Sequence, residues 1–290
     1  VKSSFKIMTT KPGTLYIVAT PIGNLEDITL RALRILHEVD LIAAEDTRHT
    51  RKLLSAHDIH RPLISYHEYN RRTQGPRLIR ELMTGKSVAL VTDAGTPGIS
   101  DPGIDLVRLA VSQDIRVSPI PGPSAVTTAL TVAGLPIQPF LFLGYPPNRP
   151  AARRTFFTRY AQAEETLILF ESPRRLGGCL KDMRKIWGNR RVAVTRELTK
   201  IHEEVFRGSL EEAMERWPGE ARGEVTLLVA GAEKGKPHLD DSLIEQLRAC
   251  LVSGRRPLKE IAAEVAQEQG ISKRLVYQQA LKIKKELSEG

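Results

Sequence analysis

The chain alternates short apolar runs with stretches whose apolar residues recur every three or four positions. The first pattern reads as buried strands and the second as amphipathic helices. Thr14 to Ala19 (TLYIVA) predicts a first strand. The turn Thr20-Pro21-Ile22-Gly23-Asn24-Leu25 follows, then a helix marked by Ile28, Leu30, Leu33 and Leu36. Leu41 to Ala44 predicts a second strand that runs into the polar cluster Glu45-Asp46-Thr47-Arg48 and a helix over 48–57. Pro62 to Ser65 predicts a third strand, and Asn70 to Met83 a helix with a basic face. Val88 to Val91 is a fourth and Ile115 to Pro119 a fifth strand. Pro121-Gly122-Pro123-Ser124-Ala125 then leads into a small-residue helix, Val126 to Ala133. Strands alternating with helices at this spacing predict a parallel sheet.

The stretch Val88 to Gly103 (VALVTDAGTPGISDPG) organises this half. A connection between strand and helix needs about 2–6 residues. This one is longer and carries Asp93, Gly95, Pro97, Gly98, Asp101 and Pro102. Ligands bind beyond the carboxyl ends of strands in open α/β sheets. The residues fit a ligand loop, and they also fit a stiff structural turn.

The pattern changes after Gly134-Leu135-Pro136. Phe140 to Gly144, Thr166 to Phe170, Arg191 to Thr195, Glu204 to Arg207 and Glu224 to Ala230 predict strands. Their connections mix hairpins and crossovers, so they form a separate α/β lobe. Pro146 to Pro150 leads into a basic helix with Arg153, Arg154 and Arg159. Ser172 is expected to cap a helix with Pro173 at its first position. A linker over 231–240 precedes helical patterns at 241–252, 257–268 and 272–285, the last two separated by Gly270-Ile271-Ser272 as in a helix-turn-helix. Lys273, Arg274, Lys282, Lys284 and Lys285 there suit an RNA contact, and the segment equally suits a packing cap. The expected domains are 13–122, 123–235 and a tail, 240–290.

Composition narrows this picture. Of 290 residues, 41% are hydrophobic and only 5% aromatic, so the cores are aliphatic. Lys and Arg number 43 against 34 acids, a net charge of +9. That suits an anionic partner such as nucleic acid or a polycarboxylate, or plain solubility. Cys179 and Cys250 lack metal-type spacing, so neither a disulfide framework nor a zinc site is expected, and a cytoplasmic setting fits. No apolar run approaches a membrane span, and the opening VKSSFKIMTTKPG lacks the apolar core of a signal peptide. No G-x-G-x-x-G or P-loop pattern follows a strand, which disfavours a dinucleotide or nucleotide-triphosphate loop. The Pro- and Gly-rich loops at Pro21, Asp93 and Pro121 suit a cofactor read by shape and backbone contacts.

TPIGNL, AAEDTR, VTDAGTPGISDPG, PGPSA, FESPRR, RELTK and GEVTLLV occur in this order. Together they closely resemble the ribosomal RNA small subunit methyltransferase I family of the tetrapyrrole methylase superfamily, over roughly 13–290. The resemblance implies a two-lobed α/β fold with a Rossmann-like parallel first lobe, a mixed-sheet second lobe and a small helical tail. It implies S-adenosylmethionine as donor, 2'-O-methylation of a cytidine ribose in the decoding region of 16S rRNA, and a homodimer. Carried over residue by residue, the donor contacts are Asp93, Ala94, Gly95, Ile99 and Ser100 after the fourth strand. Pro21 and Gly23 follow the first strand, Ser124 and Ala125 the fifth, and Phe170 ends a strand of the second lobe; the strand from Glu224 to Leu228 finishes the pocket.

Sulfonium chemistry needs mainly alignment. A base near the ribose hydroxyl would add roughly 10²–10⁴-fold. Candidates are Asp46 first, then Glu45, Glu171, Glu197 and Lys200. The EDTR cluster equally reads as a capped helix start. Candidate RNA contacts are Arg48, Arg153, Arg154, Arg174 and Arg196, with ion pairs or a solvated surface as the alternative for several of them. Alternatives on this scaffold are a methylase of an anionic tetrapyrrole or other small acid, and a non-catalytic RNA-binding assembly protein.

Overall fold

The computed structural model describes residues 11–100, 103–232, 247–248, 257–268, 276–281 and 283–284. The chain divides into two units, residues 1–231 and 232–290. The first unit holds two five-stranded sheets.

The first sheet contains β1 (Thr14–Val18), β2 (Leu41–Ala44), β3 (Leu63–Ser65), β4 (Val88–Val91) and β5 (Arg116–Ile120). Their order is β3-β2-β4-β1-β5, and every pairing is parallel. A parallel sheet is covered on both faces, so its central strands must be apolar on both sides. All four residues of β4 are buried. Their side chains alternate between two cores. Ala89 and Val91 join Ile42 and Ala44 against α1 (Leu30–Glu38) and α2 (Thr47–Ala56). Val88 and Leu90 join Leu15 and Ala43 against α3 (Arg71–Met83) and α4 (Gly103–Val111). Asp101 and Pro102 lie outside the described residues.

The second sheet contains β6 (Phe140–Phe142), β7 (Thr166–Glu171), β8 (Arg191–Arg196), β9 (Glu204–Ser209) and β10 (Val225–Val229), in the order β6-β7-β10-β8-β9. Only β6 and β7 pair in parallel; the other three pairings are antiparallel. One face carries α6 (Pro150–Thr158), α7 (Leu176–Trp187) and α8 (Leu210–Arg216) over a core of Phe157, Leu169, Met183, Trp187 and Leu227. The opposite face receives α5 (Ala125–Ala133), which follows β5 yet packs on β8 and β10. Its Val126, Ala129, Leu130 and Ala133 meet Ile168, Ala193 and Leu228. Ile22, from the loop after β1, enters the same cluster, so an apolar seam ties the first lobe to the inner face of the second.

One cap differs from expectation. Ser172 makes no side-chain capping bond, and Pro173–Arg175 forms a 3-10 turn before α7. The Glu171 carboxylate instead accepts the Ser172 N–H at 2.6 Å. In the second unit, α9 (Leu258–Glu268) matches the second helix of the expected tail. Leu247, Ile261, Val265, Val276 and Ile283 bury a small core there. Most of the expected helix over 241–252, the turn at 270–272 and the cations Lys273, Arg274, Lys282 and Lys285 lie outside the described residues.

Candidate functional site

Three strand-end loops of the first sheet are stitched together by two backbone bonds and one from a threonine hydroxyl. The Thr20 N–H donates to the Gly95 carbonyl at 2.9 Å and the Gly95 N–H returns to the Thr20 carbonyl at 3.0 Å. The Thr96 hydroxyl donates to the Pro123 carbonyl at 3.2 Å, adding the loop after β5. Gly95 holds φ +81, a left-handed conformation that costs an L-residue roughly 1–2 kcal/mol. A Cβ there would also press on Ile22 at 3.4 Å.

Against these loops lies a cavity of about 360 Å³. The first lobe lines it with Ile22, Ala94, Gly95, Thr96 and Ile99, and the start of α5 adds Ser124 and Ala125. The second lobe lines it with Tyr145, Phe170, Thr195, Leu198, Glu224 and Thr226, among others. The hydroxyl-bearing N-cap Ser124 makes no side-chain bond to the helix. The first amides of nine-residue α5 therefore open beside the cavity, where an anionic or hydroxyl-rich group would find donors. Backbone donors, a small-residue floor and an apolar wall from Phe170 and Leu198 fit a nucleoside carrying an amino-acid tail.

The structure gathers six of the ten expected donor contacts around this cavity: Ala94, Gly95, Ile99, Ser124, Ala125 and Phe170. The other four do different work. Asp93 turns toward β2, where its carboxylate accepts the Asp46 N–H at 3.0 Å. With Pro21 and Thr92 it borders a separate void of about 30 Å³. Burial raises the Asp93 carboxyl; the Glu45 and Asp46 charges add to this, and the Asp46 N–H opposes it. Gly23 is a point of lobe contact: a Cβ would sit 2.4 Å from Lys200 Cγ and 2.9 Å from the Leu198 carbonyl. Ser100, at φ +68, abuts Gly144 of the second lobe.

The expected bases fare unevenly. Asp46 is the N-cap of α2, accepting the Arg48 N–H at 2.8 Å, and it pairs with the Arg48 guanidinium at 2.8 Å. Those bonds hold its carboxyl well below the ordinary range, so it is a poor proton acceptor, and it does not line the cavity. The capped-helix alternative thus describes Asp46 as the structure has it. Glu45 accepts the Thr92 hydroxyl at 2.6 Å and laces β2 to β4. Glu171, at the end of β7, borders the cavity, but its side chain is fully buried and paired with Arg175. Lys200 contacts Glu197 at 2.9 Å and Glu224 at 3.2 Å. Burial works against its charge, but the two carboxylates outweigh it and hold the ammonium above its ordinary range. Lys200 is therefore a cation at neutral pH, not a base.

Among the candidate RNA contacts, Arg153 is removed. It is 5% exposed and donates to Asp182 from two nitrogens at 2.7 and 2.8 Å, bracing α6 on α7. Arg196 is engaged by Glu204 at 2.9 Å. Arg154 reaches Asp182 only at 3.5 Å and stays half exposed. Arg48 and Arg174 are exposed, Arg48 being paired with Asp46.

Sequence reasoning missed Ile22, Thr96, Tyr145, Thr195 and Leu198 as cavity residues. Thr195 and Leu198 sit at the end of β8, and a rule that ligands gather at strand ends would have flagged them. Tyr145 carries no such signal.

The family model of the tetrapyrrole (corrin/porphyrin) methylases matches residues 14–214. Ribosomal RNA small subunit methyltransferase I of Halalkalibacterium halodurans is 48% identical over 272 residues, 91% of this chain and 93% of that protein. The chain belongs to this family of tetrapyrrole methylases. The same-named protein of Pseudomonas aeruginosa is 46% identical, covering 93% of this chain and 97% of its own. Among solved structures, uroporphyrin-III C-methyl transferase from Thermus thermophilus complexed with S-adenyl homocysteine aligns at TM-score 0.55 and 18% identity. It covers 75% of this chain and 97% of that one, a likeness of fold. The expected α/β architecture, a parallel first sheet and a mixed second one, stands in the structure. No helix among the described residues is long and apolar enough to cross a membrane.

Proposed function

We propose that the protein methylates the 2'-oxygen of a cytidine ribose in small-subunit ribosomal RNA with S-adenosylmethionine as donor. The observation that carries this reading is the 360 Å³ cavity, built from strand-end loops of the first lobe on one side and residues of the second lobe on the other. It belongs to a chain 46–48% identical to relatives named ribosomal RNA small subunit methyltransferase I. When bound, S-adenosylmethionine supplies a methyl group already activated by its sulfonium. The backbone of Ala94 to Thr96 and the amides opening α5 would hold it, with Phe170 and Leu198 as its apolar wall. The chain's own contribution is to align acceptor and donor and to exclude water, which is worth about 7–11 kcal/mol for well-oriented reactants.

The acceptor hydroxyl must also lose a proton. Glu224 lines the cavity with a side chain 69% exposed, and Lys200 steadies it at 3.2 Å. Glu224 takes that proton in this reading, in preference to Asp46. The protein works in the cytoplasm as a homodimer, which sedimentation of the purified chain tests.

The decisive experiment incubates the protein with methyl-labelled donor and small subunits lacking the modification. Nuclease digestion and mass spectrometry should return 2'-O-methylcytidine. Label entering an anionic tetrapyrrole, or no RNA label at all, overturns the reading.

A further inference from the structure

One rim of the cavity carries an exposed aromatic ring. Tyr145 lines the cavity yet remains 58% exposed. Its ring lies 5.5 Å from that of Phe170, which in turn packs edge-on against Phe142 at 5.0 Å. The ring is thus supported from below and open above. The loop behind it is anchored: Asn148 accepts a hydrogen bond from Arg175, and Arg175 is paired with buried Glu171. The same turn places Ser172 and Pro173 on the cavity wall. The next residue, Arg174, is exposed and has no ion-pair partner among the described residues. Arg175, Arg153 and Arg196, by contrast, are all engaged by carboxylates.

We propose that Tyr145 and Arg174 form the subsite for the acceptor nucleotide, Tyr145 stacking its base and Arg174 pairing with an adjacent phosphate. This rests on the methyltransferase reading above. A ribose hydroxyl reaches into the cavity only if its nucleotide is splayed out of the RNA stack. A splayed base exposes a face that an aromatic ring can cover. A supported, solvent-open ring on the cavity rim, with an exposed guanidinium on the turn that also lines it, is the pairing that holds a single nucleotide. The donor, on the reading above, is held by the first-lobe loops and the start of α5.

The experiment compares Tyr145→Ala, Tyr145→Phe and Arg174→Gln with wild type in full-length protein. Donor-side binding is read by calorimetry with S-adenosylhomocysteine, and acceptor use by steady-state kinetics on small subunits. Tyr145→Ala should raise KM for subunits on the order of tenfold to a hundredfold while S-adenosylhomocysteine affinity stays within about twofold. Tyr145→Phe should restore most of that loss, because the stacking face is kept. Arg174→Gln should raise KM and flatten its dependence on salt. An unchanged KM in Tyr145→Ala overturns the subsite. An equal loss of S-adenosylhomocysteine affinity also overturns it, because the ring then serves the donor. A wild-type protein that methylates no RNA would instead sink the parent reading, so the two failures are told apart.

Discussion

The two lobes contribute to the cavity by different means. The first lobe supplies mostly small loop positions beside Ile22 and Ile99: Ala94, Gly95 and Thr96, fixed by the Thr20–Gly95 bridge and the Thr96–Pro123 bond. The second lobe supplies side chains: Tyr145, Phe170, Thr195 and Glu224, projected from strand ends and one loop. Backbone donors are rigid and indifferent to side-chain identity, which suits a donor that is always the same molecule. Side chains differ in charge and shape, which suits the partner that must be chosen. The lobes meet where Gly23 lies against Leu198 to Lys200, too close for any Cβ.

This contrast is testable, and the largest effect belongs to the second lobe. Glu224→Gln should lower kcat about 10²–10⁴-fold with S-adenosylhomocysteine affinity nearly unchanged. Asp46→Ala should leave turnover within about twofold, and the reverse ranking in single-turnover assays would return the proton to Asp46. Next comes a residue that looks like an RNA contact and is not one. Arg153→Met leaves Asp182 buried with only the distant Arg154, at an expected cost of about 3–5 kcal/mol in urea unfolding. The salt dependence of RNA binding by the folded fraction should not change.

Gly95→Ala probes the backbone side. The left-handed φ of +81 predicts a loss of about 1–2 kcal/mol, with weakened S-adenosylhomocysteine binding in calorimetry. Unaltered binding would mean that the first-lobe loop does not cradle the donor. The smallest effect is on acid stability. The ion pairs of Glu204 with Arg216 and Arg196 outweigh its burial and hold its carboxyl below the ordinary 4.5. A depressed carboxyl contributes stability that is complete above 4.5 and is lost as pH falls through the lower folded value. Tm should therefore decline below about pH 4.5, and Glu204→Gln should flatten that slope; a slope unchanged in the variant refutes the assignment.

Much of this molecule is legible in its residues one stretch at a time. Val88 to Val91 is apolar on both faces, and only a covered parallel strand accepts that. The Pro- and Gly-bearing loop after it marks a backbone cradle because those residues restrict or extend φ locally. Six cavity-lining positions follow from the family pattern that such stretches compose. The charged residues are different. Asp46, Arg153 and Lys200 look equally available in the sequence, yet one caps a helix, one is buried against Asp182 and one is held as a cation by two carboxylates.

The sequence by itself determined the strands, most helices, the two-lobed α/β class and the Pro- and Gly-bearing loops that border the cavity. Each of these depends on short-range periodicity or on the dihedral limits of single residues. Only the tertiary structure decided that α5 crosses to the second sheet, that Asp93 turns toward β2, and that Tyr145 and Leu198 face the same cavity. A charge acquires its role from partners far along the chain. Asp182 lies 29 residues from Arg153 and Glu224 lies 24 from Lys200, and only the packed sheets bring them within reach.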